Sequence, residues 1–269
     1  MEWSKAKTIL IILFLILNVF LFGSILYSSS SLGLNSDYVK YVNTFLESKN
    51  ITLKASIPSY HSSSGMIDYE DQTIDKNHAV NFFFGHSVSP SNEAELPDTL
   101  WVENEKVLEI GNNIIKYTDS TPDRSLSIKD KDKLLKELAP YFEGLGIDRN
   151  EYVADIYQEQ NDAVYVKFIK KYKGHLLFDV YIDFYITPAG IESINMVPKV
   201  AISTIVPDEI LSAYQVMVVG MIPENSIIKE ICFGYKKLQE GDLNDNPVWR
   251  IRYSDGHDEF YNAYTGERF

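Results

Sequence analysis

Hydrophobic and polar positions along the chain fall into two regimes. From Ile9 to Tyr27 nearly every residue is apolar and none is charged. Such a run, helical at 1.5 Å per residue, reaches roughly 28 Å and matches the hydrocarbon core of a bilayer. It predicts a transmembrane helix over 9–27, after a short segment, 1–8, that carries Lys5 and Lys7. No Lys or Arg follows until Lys40. The positive-inside rule then predicts a cytoplasmic N-terminus and an extracytoplasmic bulk, held at the cell membrane by a single pass. A cleaved signal peptide is the rival reading. The run is longer than the usual apolar region of such peptides, and no Ala-x-Ala site follows it.

Beyond a Ser/Gly-rich stalk at 28–35 the pattern alternates between helical and strand periods. Val39, Val42 and Leu46 share one face of a helix predicted near 37–49, with Ser36 as its cap. Ile51 to Ile57 reads as a strand. Pro58 to Asn77 is polar and turn-rich, and Val80 to Gly85 reads as a buried strand. Leu100–Val102, Lys106–Ile110 and Ile114–Thr118 form a meander. The mixed-charge stretch Asp119–Arg124, with Pro122, marks a boundary between an N-terminal subdomain at 36–120 and a C-terminal one at 121–269.

A second helix is expected over 129–145, opened by Ser127 and interrupted at Pro140. Val164, Val166 and Phe168 alternate with polar neighbours, and Val180, Ile182, Phe184 and Ile186 do the same in the next strand. A third helix is expected over 208–220, opening at Pro207. Trp249, Ile251 and Tyr253 then occupy one face of a strand, and Ser254–His257 turns into Glu259–Tyr264. A helix followed by antiparallel strands thus recurs three times. The predicted class is α+β, with helices packed on antiparallel sheets behind an N-terminal transmembrane helix.

Charge and chemistry narrow the function. A formal net charge of −13 argues against nucleic acid as a partner. Cys232 is the one cysteine, so no internal disulfide is available. His61, His78, His86, His175 and His257 stand in no metal-ligand spacing. No nucleophile elbow, phosphate loop or dinucleotide fingerprint is present, so no catalytic, cofactor or metal site is predicted. Asp255, His257, Asp258 and Glu259 cluster, but Asp255-Gly256 is a hairpin signature. Asn18 is the strongly polar side chain within the apolar run. Phe14, Leu21, Phe22 and Ile25 lie on its face, which makes Phe14, Asn18, Leu21, Phe22 and Ile25 the candidate partner-binding stripe.

Met1 to Ile9, followed by a single span, resembles the opening of the YycI proteins of Gram-positive bacteria. Tyr172–Phe178, the strand ending at Ile186–Ile191 and the tail Asp255–Glu267 are similar to the central and final parts of that family. The tail is also similar to the last strand of PepSY-type domains, so the C-terminal subdomain is expected to hold PepSY-like helix-plus-meander units. The resemblance implies a non-enzymatic regulator of an essential sensor histidine kinase of the WalK/YycG type that governs cell-wall metabolism. It further implies action alongside a YycH-type sister protein, through transmembrane and ectodomain contacts. Two other classes stay open on the residues alone: a cell-wall module binding glycan or peptide, and an envelope hydrolase.

Overall fold

The computed structural model describes residue 7 and residues 10–21, 36–58, 63–91, 99–204 and 208–269. Residues 10–21 are helical and exposed. No helix among the described residues is long and apolar enough to cross a membrane. The remainder of the expected span, with Phe22 and Ile25, and the expected stalk lie outside the described residues, as does Pro207.

The region from residue 36 onward is α+β. Its helices are α1 (Ser36–Ser48), α2 (Lys76–Phe84), α3 (Lys131–Glu137), α4 (Ala139–Gly144) and α5 (Ala213–Val219). In the first half the strands are β1 (Thr52–Leu53), β2 (Ser63–Ser64), β3 (Ile67–Asp71), β4 (Thr99–Glu103), β5 (Lys106–Ile110) and β6 (Ile115–Asp119). There follow β7 (Tyr152–Gln160), β8 (Ala163–Tyr172), β9 (His175–Thr187), β10 (Gly190–Met196) and β11 (Lys199–Thr204). The last are β12 (Asp208–Glu209), β13 (Ile227–Lys236), β14 (Asn246–Tyr253) and β15 (Asp258–Asn262).

Three helix-then-meander units follow one another, but the helix of the first is α2, which the period pattern read as a strand, and not the predicted helix near 37–49. α2 precedes β4–β6, α3 and α4 precede β7–β10, and α5 precedes β13–β15. Their strands join in one sheet of eleven strands ordered β15-β14-β13-β9-β10-β6-β5-β4, with β8 and then β7 on the far edge of β9 and β1 beside β13. One core packs α2, α3 and α4 on the central strands, where Phe142, Phe168 and Phe184 meet at 5.2–5.8 Å. A second core packs α1 and α5 on Trp249, Ile251 and Tyr261. Trp249 is buried as predicted, and its indole N–H donates to the Leu211 carbonyl at 2.8 Å.

Several local expectations are corrected. Val80–Gly85 is not a strand but most of α2. Asp75 caps its start by accepting from His78 N, and Gly85 ends it at φ 80°, a left-handed turn that glycine adopts without strain. The third helix begins at Ala213 rather than near 208. Ser212 and Gln215 form a reciprocal capping box there, while Asp208–Glu209 pairs with β2 instead. Asp130, not Ser127, caps α3, and Ser127 donates to the Glu137 carboxylate. Pro140 does divide the second helix, sitting in the first turn of α4. The polar stretch after Pro58 contains β2 and β3, and Ile51–Ile57 shrinks to β1. Nor is the sheet wholly antiparallel, because β13 runs parallel to both β1 and β9.

Those parallel pairings create the feature that matters most for the site. One edge of β9 is taken by β8, at His175–Leu177 and again at Tyr181–Ile186 across a register shift. Its other edge is shared: Leu176 and Leu177 pair with β13, and Ile182–Thr187 pair with β10. Between them, at Phe178–Tyr181, the sheet forks. Gly234 permits the join, since a Cβ there would lie 2.4 Å from the Leu176 carbonyl oxygen.

Candidate functional site

Two polar constellations flank the fork. On one face of the sheet, Arg250 and Arg252 of β14 reach across to Asp155 of β7. Arg250 Nη1 donates to Asp155 Oδ2 at 2.7 Å and Nη2 to Glu230 Oε1 at 2.9 Å. Arg252 grips Asp258 with two parallel bonds of 2.7 and 2.8 Å and reaches Asp155 Oδ2 at 3.1 Å. The Arg250 side chain is 1% exposed and stacks 4.9 Å over the Phe178 ring. Burial works to raise the Asp155 pKa, but the bonds and charges of Arg250 and then Arg252 outweigh it and hold the carboxyl below its ordinary value. Cys232, opposite Arg250 in the β13–β14 register, is pushed up to about 12 by burial, which leaves it a thiol. The constellation ties β7 to β13, β14 and β15, and its carboxylates are occupied.

In the fork itself lies a cleft of about 650 Å³. Asp179 and Val180 of β9 line it, together with Val197 and Lys199 at the β10–β11 junction. Asp68 and Tyr69 of β3 face it from the first half of the chain, and the segment Lys237–Asp245 between β13 and β14 closes it from the second. Asp245 is the residue that joins the walls. Its backbone exchanges hydrogen bonds with Ile67 at 2.8 and 3.0 Å, and its Oδ2 accepts from the Tyr69 hydroxyl at 2.7 Å. Burial, reinforced by the charge of Asp179, pushes the Asp245 carboxyl up to about 6 against the bond from Tyr69 and the lysines Lys237 and Lys236. Burial and the adjoining Asp245 also drive the Tyr69 hydroxyl well above its usual range.

The predicted stripe is placed in part. Phe14, Asn18 and Leu21 are exposed on the helix of residues 10–21. Asn18 Nδ2 donates to the Phe14 carbonyl at 2.8 Å, one turn back along its own helix. The tail cluster is structural. Asp255–Gly256 makes the expected turn, and Glu259 accepts from Tyr253, Tyr261 and Arg268. Sequence reasoning missed Asp155, Glu230 and the whole cleft. The signal available for the cleft was Ile67-Asp-Tyr69, an apolar–polar–apolar alternation hidden in a polar stretch.

Comparison with known proteins gives one family and a shared fold. The family model described as YycI protein matches residues 30–264. An uncharacterized protein from Eubacterium rectale ATCC 33656 has the same fold: 14% identical, it aligns over 82% of this chain and 90% of its own, with a TM-score of 0.51. The Bacillus megaterium YpeB C-terminal domain is 11% identical over 74% of this chain and 96% of its own, with a TM-score of 0.46. No curated protein matches significantly.

Proposed function

The chain belongs to the YycI family of regulatory accessory proteins of the YycG/WalK two-component system, and we propose that it regulates a sensor histidine kinase of that type from the outer face of the cell membrane. The observation that carries the reading is the family match over 30–264, nearly the whole region beyond the apolar run. Residues 9–27 anchor the protein in the bilayer in this reading, with the N-terminus cytoplasmic, and a YycH-type sister protein acts with it in the control of cell-wall metabolism. A regulator of this kind works by binding two signalling states of the kinase unequally, through the helix, the ectodomain or both.

The stripe of Phe14, Asn18, Leu21, Phe22 and Ile25 is the proposed intramembrane contact. Asn18 already spends one donor on the Phe14 carbonyl, which leaves its oxygen and one N–H for a neighbouring helix. An interhelical bond there is worth about 0.6–2 kcal/mol, so packing along the stripe supplies the rest. Photocrosslinkers placed along residues 14–25 of the full-length protein test the reading in membranes of the native host. The expected product is a conjugate with a histidine kinase or the sister protein, reduced severalfold by Asn18→Leu at matched protein levels. If kinase and sister protein are absent from every conjugate while kinase-controlled transcription ignores deletion of the chain, the regulatory reading falls.

A further inference from the structure

We propose that the pocket beside the segment Asp119–Arg124 binds a carboxylate, of a small acid or a peptide terminus, on the Arg124 guanidinium group with Lys106 at its flank. The pocket holds about 150 Å³ and is lined by Phe82 of α2, Tyr141 of α4 and Tyr117 of β6, among others. A volume of that order admits a molecule about the size of benzene. Its rim is fixed. Thr121 N–H donates to Asp119 Oδ1 at 3.0 Å, and Ser120 N–H to the Glu105 carbonyl at 3.2 Å. A Cβ on Gly190 would lie 2.8 Å from the Arg124 carbonyl oxygen, so the segment rests on the start of β10. The sequence marks this stretch only as a boundary; in the fold it presents charge to an aromatic pocket.

Lys106, Asp119, Asp123 and Arg124 are the charged side chains of the pocket, and they are not equivalent. Asp119 is buried and its oxygens are taken, Oδ1 by the Thr121 amide and Oδ2 by the Tyr117 hydroxyl at 3.2 Å. Lys106 Nζ stands 4.0 Å from Asp119 Oδ2, too far for a hydrogen bond, and its side chain is 34% exposed. Arg124 is exposed and pairs with no carboxylate among the described residues; its guanidinium lies 5.8 Å from the centre of the Tyr141 ring. Burial raises the Tyr141 hydroxyl pKa, the Arg124 charge pulls it down, and Asp119 and Asp123 add to the rise. The groups within a ligand's reach are therefore Arg124 and Lys106, with the exposed Asp123 as a like charge at the rim. A dianion would be opposed by both Asp119 and Asp123, and an organic cation would find Arg124 already over Tyr141. A planar group with one negative charge and two oxygens matches the guanidinium fork. The half-buried Phe82 and Pro122 face the carbon atoms that carry it.

No residue of the pocket belongs to the intramembrane stripe, so the two proposals stand or fall separately. Saturation-transfer NMR on the full-length protein in detergent micelles, at neutral pH and low salt, decides it. Acetate and N-acetylglycine are the probes, and acetamide and N-acetylglycine amide their neutral counterparts. Saturable binding of at least one acid is expected. Acetate as good as N-acetylglycine identifies a free small acid as the occupant, and N-acetylglycine alone a peptide terminus. Arg124→Gln should weaken the better acid about tenfold or more, the worth of a charge-assisted pair. Asp123→Asn removes the like charge at the rim and should strengthen it about twofold, the scale of a screened surface charge. Both positions are exposed, and the gain at Asp123 can be read even where Arg124→Gln disturbs the packing on Tyr141. Absence of saturable transfer from both acids up to about 50 mM, well above a millimolar dissociation constant, overturns the proposal. Equal binding of the neutral counterpart, undiminished binding to a folded Arg124→Gln, or weaker binding to Asp123→Asn overturns it as well.

Discussion

Asp155 and Asp245 are both buried carboxylates where separate strands meet, and the chain treats them in opposite ways. Asp155, with a side chain 6% exposed, meets two guanidinium groups and is held ionised. Asp245, 1% exposed, meets one hydroxyl and is pushed toward its neutral form. Burial acts on the two alike; the difference lies in what the neighbouring strand presents. β14 carries arginines at 250 and 252, which point to one face because strand side chains alternate, so both reach β7. β3 presents to the cleft a tyrosine and an aspartate. A constellation whose carboxylates are paired with guanidinium groups is a strut, even though Arg250 Nε finds no partner among the described residues. An unpaired carboxylate oxygen, as at Asp245 Oδ1, carries a desolvation cost that the fold offsets elsewhere.

The largest effect expected falls on the strut. Arg250→Met leaves Asp155 and Glu230 with Arg252 alone and should cost about 3–5 kcal/mol, the range for breaking a buried pair from one side. The double variant Arg250→Met/Asp155→Leu should recover much of that, because apolar replacement removes the desolvation cost together with the attraction. Urea midpoints of the two variants measure the contrast. A single variant losing under about 1 kcal/mol would put the pair among weak surface bridges and erase the distinction from Asp245.

Legibility in the sequence followed the range of the interactions. Strand periodicity located Val180–Ile186, Leu100–Thr118 and the buried face of Trp249 because burial on one face writes itself into alternate residues. A helix start was misplaced where its cap lay outside the apolar pattern, as at Ser212, and the helix behind the Asp75 cap was read as a strand because its apolar run is short. Long-range pairing was invisible. Nothing near Thr52 announces its parallel partner Ile227, and nothing near Asp155 announces Arg250, 95 residues away. The cleft draws on β3, β9, the β10–β11 junction and the segment after β13, so no local window contains it.

The next effect concerns pH. Asp245 has a folded pKa near 6, above the usual aspartate value in an unfolded chain. The folded state therefore holds the proton more tightly, and this group's stabilisation is complete below the unfolded pKa of about 3.9 and lost as pH rises through 6. Asp245→Asn cannot ionise. Relative to that variant, the wild type should lose up to about 3 kcal/mol between pH 4 and pH 7. Asp155 gives the reverse sign, since its depressed pKa contributes stability above the unfolded value that disappears as pH falls. Comparing urea midpoints of wild type and Asp245→Asn across this window isolates the Asp245 contribution. A difference that stays constant from pH 4 to pH 7 would mean that the carboxylate is as well satisfied as Asp155.

The smallest effect tests how Tyr69 shares in this arrangement. Its hydroxyl is the side-chain donor to Asp245 Oδ2, and Tyr69→Phe removes that bond while keeping the ring. The ionised carboxylate depends on the donor more than the neutral acid does, because hydrogen bonds to charged groups are the stronger kind. The loss should therefore be about 1–2 kcal/mol at neutral pH and smaller below the Asp245 transition. By the same asymmetry, the pH at which stability falls should move upward from its wild-type position, because a carboxylate stripped of its donor holds its proton longer. Urea midpoints of Tyr69→Phe over the same pH range read both quantities at once. If the variant loses the same amount at every pH, the hydroxyl acts through packing of β3 against the segment at 237–245, and Asp245 draws its remaining stabilisation from Lys236 and Lys237 instead.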